Sequence, residues 1–283
     1  MRSKELVVLH QKISELNTHY SHFIFISEQF IIDNKSKIEY NPDKYTSDLF
    51  LTNKFADQFN SRMTEIIDES EKTRNFILRS LFVLSYSQFE IYLRDVYSFA
   101  KTYITSLPEL FPNKILDKVE KNIKIIDTDG LLEIEFKTLE YISLRRNSIV
   151  HRDEKRAYQK EIADCIKENG KDLNKFWLGE NNLQVKVLDF TKKQVYHFES
   201  MELIDILNII RRLSEKIDHL IITKIGVDNL YKYLIKEFED QYKPIQSWEN
   251  KDREKLIKKF QHFARITLGA ILSYYEVNNL LGK

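Results

Sequence analysis

Along most of this chain apolar residues return every three or four positions, the spacing of one face of an α-helix. Leu6, Leu9, Ile13, Leu16, Phe23, Phe30 and Ile31 predict a first helix over 3–33. A loop is expected across 35–44, where Asn41-Pro42-Asp43 breaks the pattern. A second helix is predicted from Ser47-Asp48 to Ile67, carrying Phe50, Phe55, Phe59, Met63 and Ile66. After the charged stretch 68–72 comes a segment, 74–103, that is apolar on nearly every side: Leu78, Leu81, Phe82, Leu84, Phe89, Ile91, Leu93 and Val96. A helix that is apolar all round is buried, so this one is expected at the centre of a bundle. Leu107-Pro108 ends it. A short amphipathic piece, 113–124, precedes a helix that starts after Asp127-Thr128-Asp129-Gly130 and reaches His151. Helical spacing can continue over 153–168, with Asn169-Gly170 as its stop.

The period changes once. Leu183, Val185 and Val187 alternate, Thr191-Lys192-Lys193 makes a turn, and Val195, Tyr196 and Phe198 follow, which predicts one small β-hairpin near 183–198. Helical spacing then returns over 201–225, stops at Gly226, and resumes over 227–241 and 248–281. Six glycines and four prolines in 283 residues leave room for long, uninterrupted helices. The expected fold is therefore all-α with one hairpin. Residues 1–73 form an N-terminal helical extension, 74–226 a helical core with the hairpin inserted in it, and 227–283 C-terminal helices packed on that core in one compact domain.

Composition adds bounds. Hydrophobic residues at 42% and aromatics at 12% suffice for a core and exclude global disorder. A net charge of +1 gives no general attraction for nucleic acid. Any RNA binding must then come from local clusters such as Arg145, Arg146, Arg152, Lys155 and Arg156; an ordinary polar helix end would look the same. The single cysteine, Cys165, rules out an intrachain disulfide and a Cys-rich zinc site, and suits a reducing cytoplasm. Of His10, His19 and His22 only the last two stand three apart, with no carboxylate to complete a set, so no metal site is expected. No apolar run reaches membrane length, and the first residues do not lead into a signal-peptide core. A soluble cytoplasmic protein without membrane contact or cofactor is expected. Gly-rich phosphate loops, zincin motifs and nucleophile elbows are not found.

The helix ending at His151 carries the candidate chemistry. Leu132, Phe136, Leu139, Ile142, Ile149 and Val150 share a broad side, and Arg146 falls in its middle. Asn147 and His151, four apart, lie together on the edge. A guanidinium on an apolar stripe requires an acid, a carbonyl or an anionic ligand. In one reading Arg146 pairs with an acid of a neighbouring helix, Glu90 or Asp95 being the candidates, unless Glu90 is satisfied by Arg94. In the other it grips a phosphate.

The string Arg146-Asn147-Ser148-Ile149-Val150-His151 resembles the shortest form of the R-x4-6-H motif of the HEPN superfamily, with Asn directly after the Arg. Residues 80–93 are similar to the apolar helix that precedes that motif in many members. The resemblance covers the middle of the chain, and only the six-residue motif is specific. It implies a HEPN-like helical bundle acting as a metal-independent endoribonuclease in toxin–antitoxin or anti-phage defence. Other members bind without cutting, so the alternative is a catalytically inactive RNA-, nucleotide- or protein-binding module. Members silenced by tyrosine modification carry H-x-Y, whereas position 153 here is Asp153.

RNA cleavage without metal needs a base for the 2′-hydroxyl, an acid for the leaving 5′-oxygen and positive charge on the phosphorane. One motif histidine per chain then argues for a homodimer that brings two together, as HEPN nucleases do. In that scheme Arg146 holds the scissile phosphate, Asn147 orients the His151 ring or touches the phosphate, and Glu90 and Asp95 support. Arg145, Arg152, Lys155 and Arg156 bind RNA. The expected partners are an RNA substrate, a second copy of the chain, and an antitoxin or other regulator.

Overall fold

The computed structural model describes residues 1–109, 132–151, 156–179, 185–248 and 252–282. It is mostly helical, as expected. In chain order the helices are α1 (Lys4–Asp33), α2 (Lys35–Tyr40), α3 (Thr46–Leu49), α4 (Ala56–Phe59), α5 (Ile66–Tyr103), α6 (Glu133–Val150), α7 (Arg156–Trp177), α8 (Ser200–Ile225), α9 (Val227–Gln241), α10 (Arg253–Leu268) and α11 (Tyr274–Leu281). Two compact units are formed, and several helices contribute residues to both. One comprises Met1–Lys12, Ser87–Tyr141 and Asn208–Lys283, the other Ile13–Tyr86 and Ile142–Leu207.

The first unit is built on the apolar stripe Ile209, Ile210, Leu213, Ile217 and Ile221 of α8. Phe89, Leu93, Val96 and Tyr97 of α5 are buried in it too, and the Tyr92 hydroxyl donates to the Ser214 carbonyl at 2.9 Å. The chain start is tied down by Ser3, whose amide and hydroxyl both donate to the buried Asp218 carboxylate. Phe238 of α9 meets Phe260 and Phe263 of α10 edge-on, at 5.2 and 5.5 Å between ring centres.

The second unit corrects three expectations. The helix predicted over 47–67 is broken into α3 and α4, because the Thr46 hydroxyl spans the segment, donating to the Ala56 carbonyl and accepting from the Ser61 amide. Asn60, at φ 34°, ends α4 in the left-handed region. Next, α5 begins at Ile66, so the charged stretch 68–72 lies inside it; Asp68 and Glu69 fall in its first turn, where acidic groups complement the helix dipole. Nor is that helix buried all round. Leu78, Phe82 and Tyr86 form one inward stripe while Phe76 is 63% exposed and Leu84 also faces solvent. The helix with the most continuous burial is α8.

The third correction is the hairpin. Its described part, 185–198, contains no strand. The amides of Lys186, Val187 and Leu188 all donate to one oxygen of the buried Asp205 carboxylate, at 3.0, 2.7 and 2.9 Å. The Phe190 amide goes to Asn174 and the Phe198 amide to Asn75. Side-chain acceptors thus take the donors that a strand ladder would use. Val185, Leu188, Phe190, Val195 and Phe198 are nevertheless buried. The apolar spacing that suggests a strand is that of a strap pinned across the helices. Gly170 is required beneath it, since a Cβ there would lie 2.7 Å from the Phe190 carbonyl oxygen.

Candidate active site

The inward stripe of α6 consists of Glu135, Thr138, Tyr141, Ile142, Arg145 and Ser148, spaced three and four apart. Four of these are polar or charged; of the expected apolar side, Phe136, Leu139 and Ile142 are buried as well, whereas Leu132 and Val150 are exposed, so apolar spacing captures only part of the buried side. Arg145, expected on an RNA-binding surface, is 1% exposed. Its Nη1 donates to Glu202 at 2.7 Å, its Nε to the Val195 carbonyl at 3.0 Å, and its guanidinium carbon lies 4.0 Å from the centre of the Phe198 ring. Glu202, 2% exposed, also accepts the Glu199 amide ahead of α8 and lies 3.4 Å from Lys192. The acid on a neighbouring helix that was sought for Arg146 therefore exists, but it belongs to Arg145.

Arg146 lies one position around the helix, half-buried. Its Nη1 donates to the Asn147 side-chain oxygen at 3.0 Å, and its guanidinium carbon stands 5.8 Å from the centre of the Tyr86 ring. Its Nε is buried without a hydrogen-bond partner, and among the described residues no carboxylate pairs with it. Asp95 is exposed, 3.6 Å from Arg94, and Glu90 is half-buried.

His151 stands just beyond the last turn of α6, where its amide donates to the Asn147 carbonyl at 2.9 Å. Its half-buried ring stacks on Tyr158 of α7 with centres 5.0 Å apart and planes at 26°. Asn147 thus touches both motif partners, Arg146 through its side chain and His151 through its backbone. Gln159 of α7 donates to the Ser148 carbonyl at 3.2 Å and closes the turn from the other side. Arg152 and Lys155 lie outside the described residues, and Arg156 is described only as backbone opening α7.

Chemically, the segment offers one guanidinium without a counter-charge among the described residues, one amide bonded to it and one imidazole held by stacking. Two side chains here have no signal in the sequence, Tyr86 and Tyr158, because an aromatic on a helix face ordinarily reads as core. Glu202 carried a weak one: an acid in the first turn of a predicted helix is suited to capping, and a buried cap can serve a second donor. Neither a protein-family model, nor a curated protein, nor a solved structure matches the chain.

Proposed function

We propose that the Arg146–His151 segment is the cleavage site of a HEPN-type endoribonuclease that uses 2′-hydroxyl attack and no metal ion. The observation that carries this reading is the contrast between two adjacent arginines. Each of the two leaves one buried nitrogen without an acceptor, Nη2 of Arg145 and Nε of Arg146, but Arg145 is paired with Glu202 inside the protein, whereas Arg146 has no carboxylate partner among the described residues. A guanidinium in that state is poised for an anionic ligand, and a phosphodiester supplies the charge and the acceptor oxygens. Asn147 holds the guanidinium in position through its oxygen.

His151 supplies the group for proton transfer. In-line attack of the 2′-oxygen on phosphorus expels the 5′-oxygen. One histidine takes the 2′-hydroxyl proton and a second protonates the leaving oxygen, giving a 2′,3′-cyclic phosphate and a 5′-hydroxyl. Each chain contributes one motif histidine, so the complete site is formed by two copies with their α6 ends opposed. Cleavage of total RNA by wild type and by His151→Ala, with and without EDTA, tests the reading. Wild type cuts with or without chelator and the variant is at least a hundredfold slower. Equal rates, or loss of activity with EDTA, overturn it. Absence of cleavage by wild type together with retained RNA binding assigns a non-catalytic binding module instead.

A further inference from the structure

The exposed side of α10 is basic. Lys255, Lys258, His262 and Arg265 project from one face, while Leu256, Ile257, Phe260 and Phe263 are buried on the other. At Gly269, with φ +58°, the chain turns sharply, and an added Cβ would stand 3.0 Å from the Arg2 side chain. Past that turn Ile271 is 89% exposed, and Ser273 caps α11 with Tyr274 and Tyr275 in its first turn; Tyr275 is 74% exposed. Isolated apolar residues on a surface need no explanation, but here Ile266, Ile271, Tyr274 and Tyr275 are all exposed within ten residues of chain, and Ile271 lines a pocket with His262 and Arg265. A cavity of about 300 Å³ opens between the turn and the helix, lined by Gln261, His262, Arg265, Ala270, Ile271 and Leu272. Gln261 is fixed there, its amide donating to the Leu272 carbonyl at 2.9 Å.

Among the described residues, Glu254 and Glu276 lie on these two helices with their carboxylates engaged. Glu254 pairs with Lys258 at 2.6 Å, and Glu276 accepts from the amide and hydroxyl of Ser273. The Glu254 carboxylate, bonded to it, holds the Lys258 ammonium above its ordinary pKa. A basic helix face, two exposed tyrosines at the start of the next helix and a shallow pocket with an amide, an imidazole and a guanidinium in its wall are what unpaired nucleotides require. The cations follow the backbone, the rings stack on bases, and the pocket takes one base by its edge.

We infer that the α10–α11 surface, with Lys258, Arg265, Ile271 and Tyr275 as its main contacts, binds a single-stranded segment of RNA apart from the nucleotides that are cut. This rests on the reading of RNA as substrate. An anionic bilayer would also attract the cations, but a bilayer-inserting tip is convex, whereas Ile271 forms one wall of a cavity.

The test uses the full-length His151→Ala chain, which cannot consume its probe, and a fluorescent twelve-nucleotide oligouridylate read by anisotropy. Adding Lys258→Glu and Arg265→Glu weakens binding at least tenfold and lowers the slope of log affinity against log salt by about 1.4 for two lost contacts. Adding Tyr275→Ala instead weakens binding about fivefold or more. All three positions are exposed, and circular dichroism confirms that the variants stay folded. Unchanged affinity and slope, or no binding by the parent at low salt, overturn the inference. So does sedimentation with phosphatidylserine vesicles that the same substitutions abolish while RNA binding is unaffected. Cleavage by the chain with native His151 separates the two proposals. Cleavage with binding insensitive to these substitutions sinks only this inference, and sensitive binding without cleavage sinks only the nuclease reading.

Discussion

Arg145 and Arg146 are neighbours with opposite fates, and substitution should separate them. Glu202→Ala strands the Arg145 guanidinium in the interior, where removing one member of a buried pair costs about 3–5 kcal/mol. That loss should appear as a large fall in the urea midpoint. Arg146→Ala removes one hydrogen bond and a distant ring contact, so its cost is about 1 kcal/mol, while RNA cleavage is abolished. If Arg146→Ala unfolds the chain and Glu202→Ala does not, the two roles are reversed. The six-residue motif itself was legible from residue types and spacing. Which arginine faces inward was not, because the buried stripe of α6 is carried by Thr138, Arg145 and Ser148 as much as by Tyr141 and Ile142. A polar stripe becomes visible only when its partners, such as Glu202 and the Val195 carbonyl, are in place.

At the scale of elements, long helices with regular apolar spacing were read well: α1, α8 and α9 lie within a few residues of their expected bounds. Two of the failures share one cause, side chains that bind backbone, whereas the helix expected over 248–281 is broken at Gly269, whose φ of +58° ends α10. Thr46 draws 46–61 into a compact turn in place of a helix, and Asp205 gathers three amides of the 185–198 strap in place of a strand ladder. Asp205→Ala should therefore free the strap, costing about 3 kcal/mol for a charged acceptor shared by buried donors. Amide exchange at 186–188 should accelerate far more than exchange in α9. Uniform acceleration across both would mean that the strap has no separate anchor. Ser70→Pro tests the length of α5: inside a continuous helix it costs about 3 kcal/mol, whereas a break at 68–72 would tolerate it.

Across the whole molecule, glycine and proline scarcity was enough to foretell a helical fold, and among the described residues no helix is long and apolar enough to cross a membrane. The anchoring of the chain start was not legible, since Ser3 and Asp218 are 215 positions apart. Burial pushes the Asp218 carboxyl up from its ordinary 3.8, against the two bonds from Ser3. The folded chain then holds this proton more tightly than the unfolded one. The group's contribution to stability is fully present below the unfolded value and is lost as pH rises through the raised folded value. Asp218→Asn has no such titration, so its stability relative to wild type should increase as pH rises above the unfolded value in paired urea melts; a constant difference would contradict the shift. For the proposed function, the decisive scale is a pair of chains that would unite two His151 rings. The most direct measurement is single-turnover cleavage of a defined RNA by wild type and His151→Ala, with the new ends mapped. The account predicts 2′,3′-cyclic phosphate and 5′-hydroxyl ends from wild type and none from the variant; 5′-phosphate ends, or equal cutting by both proteins, would contradict it.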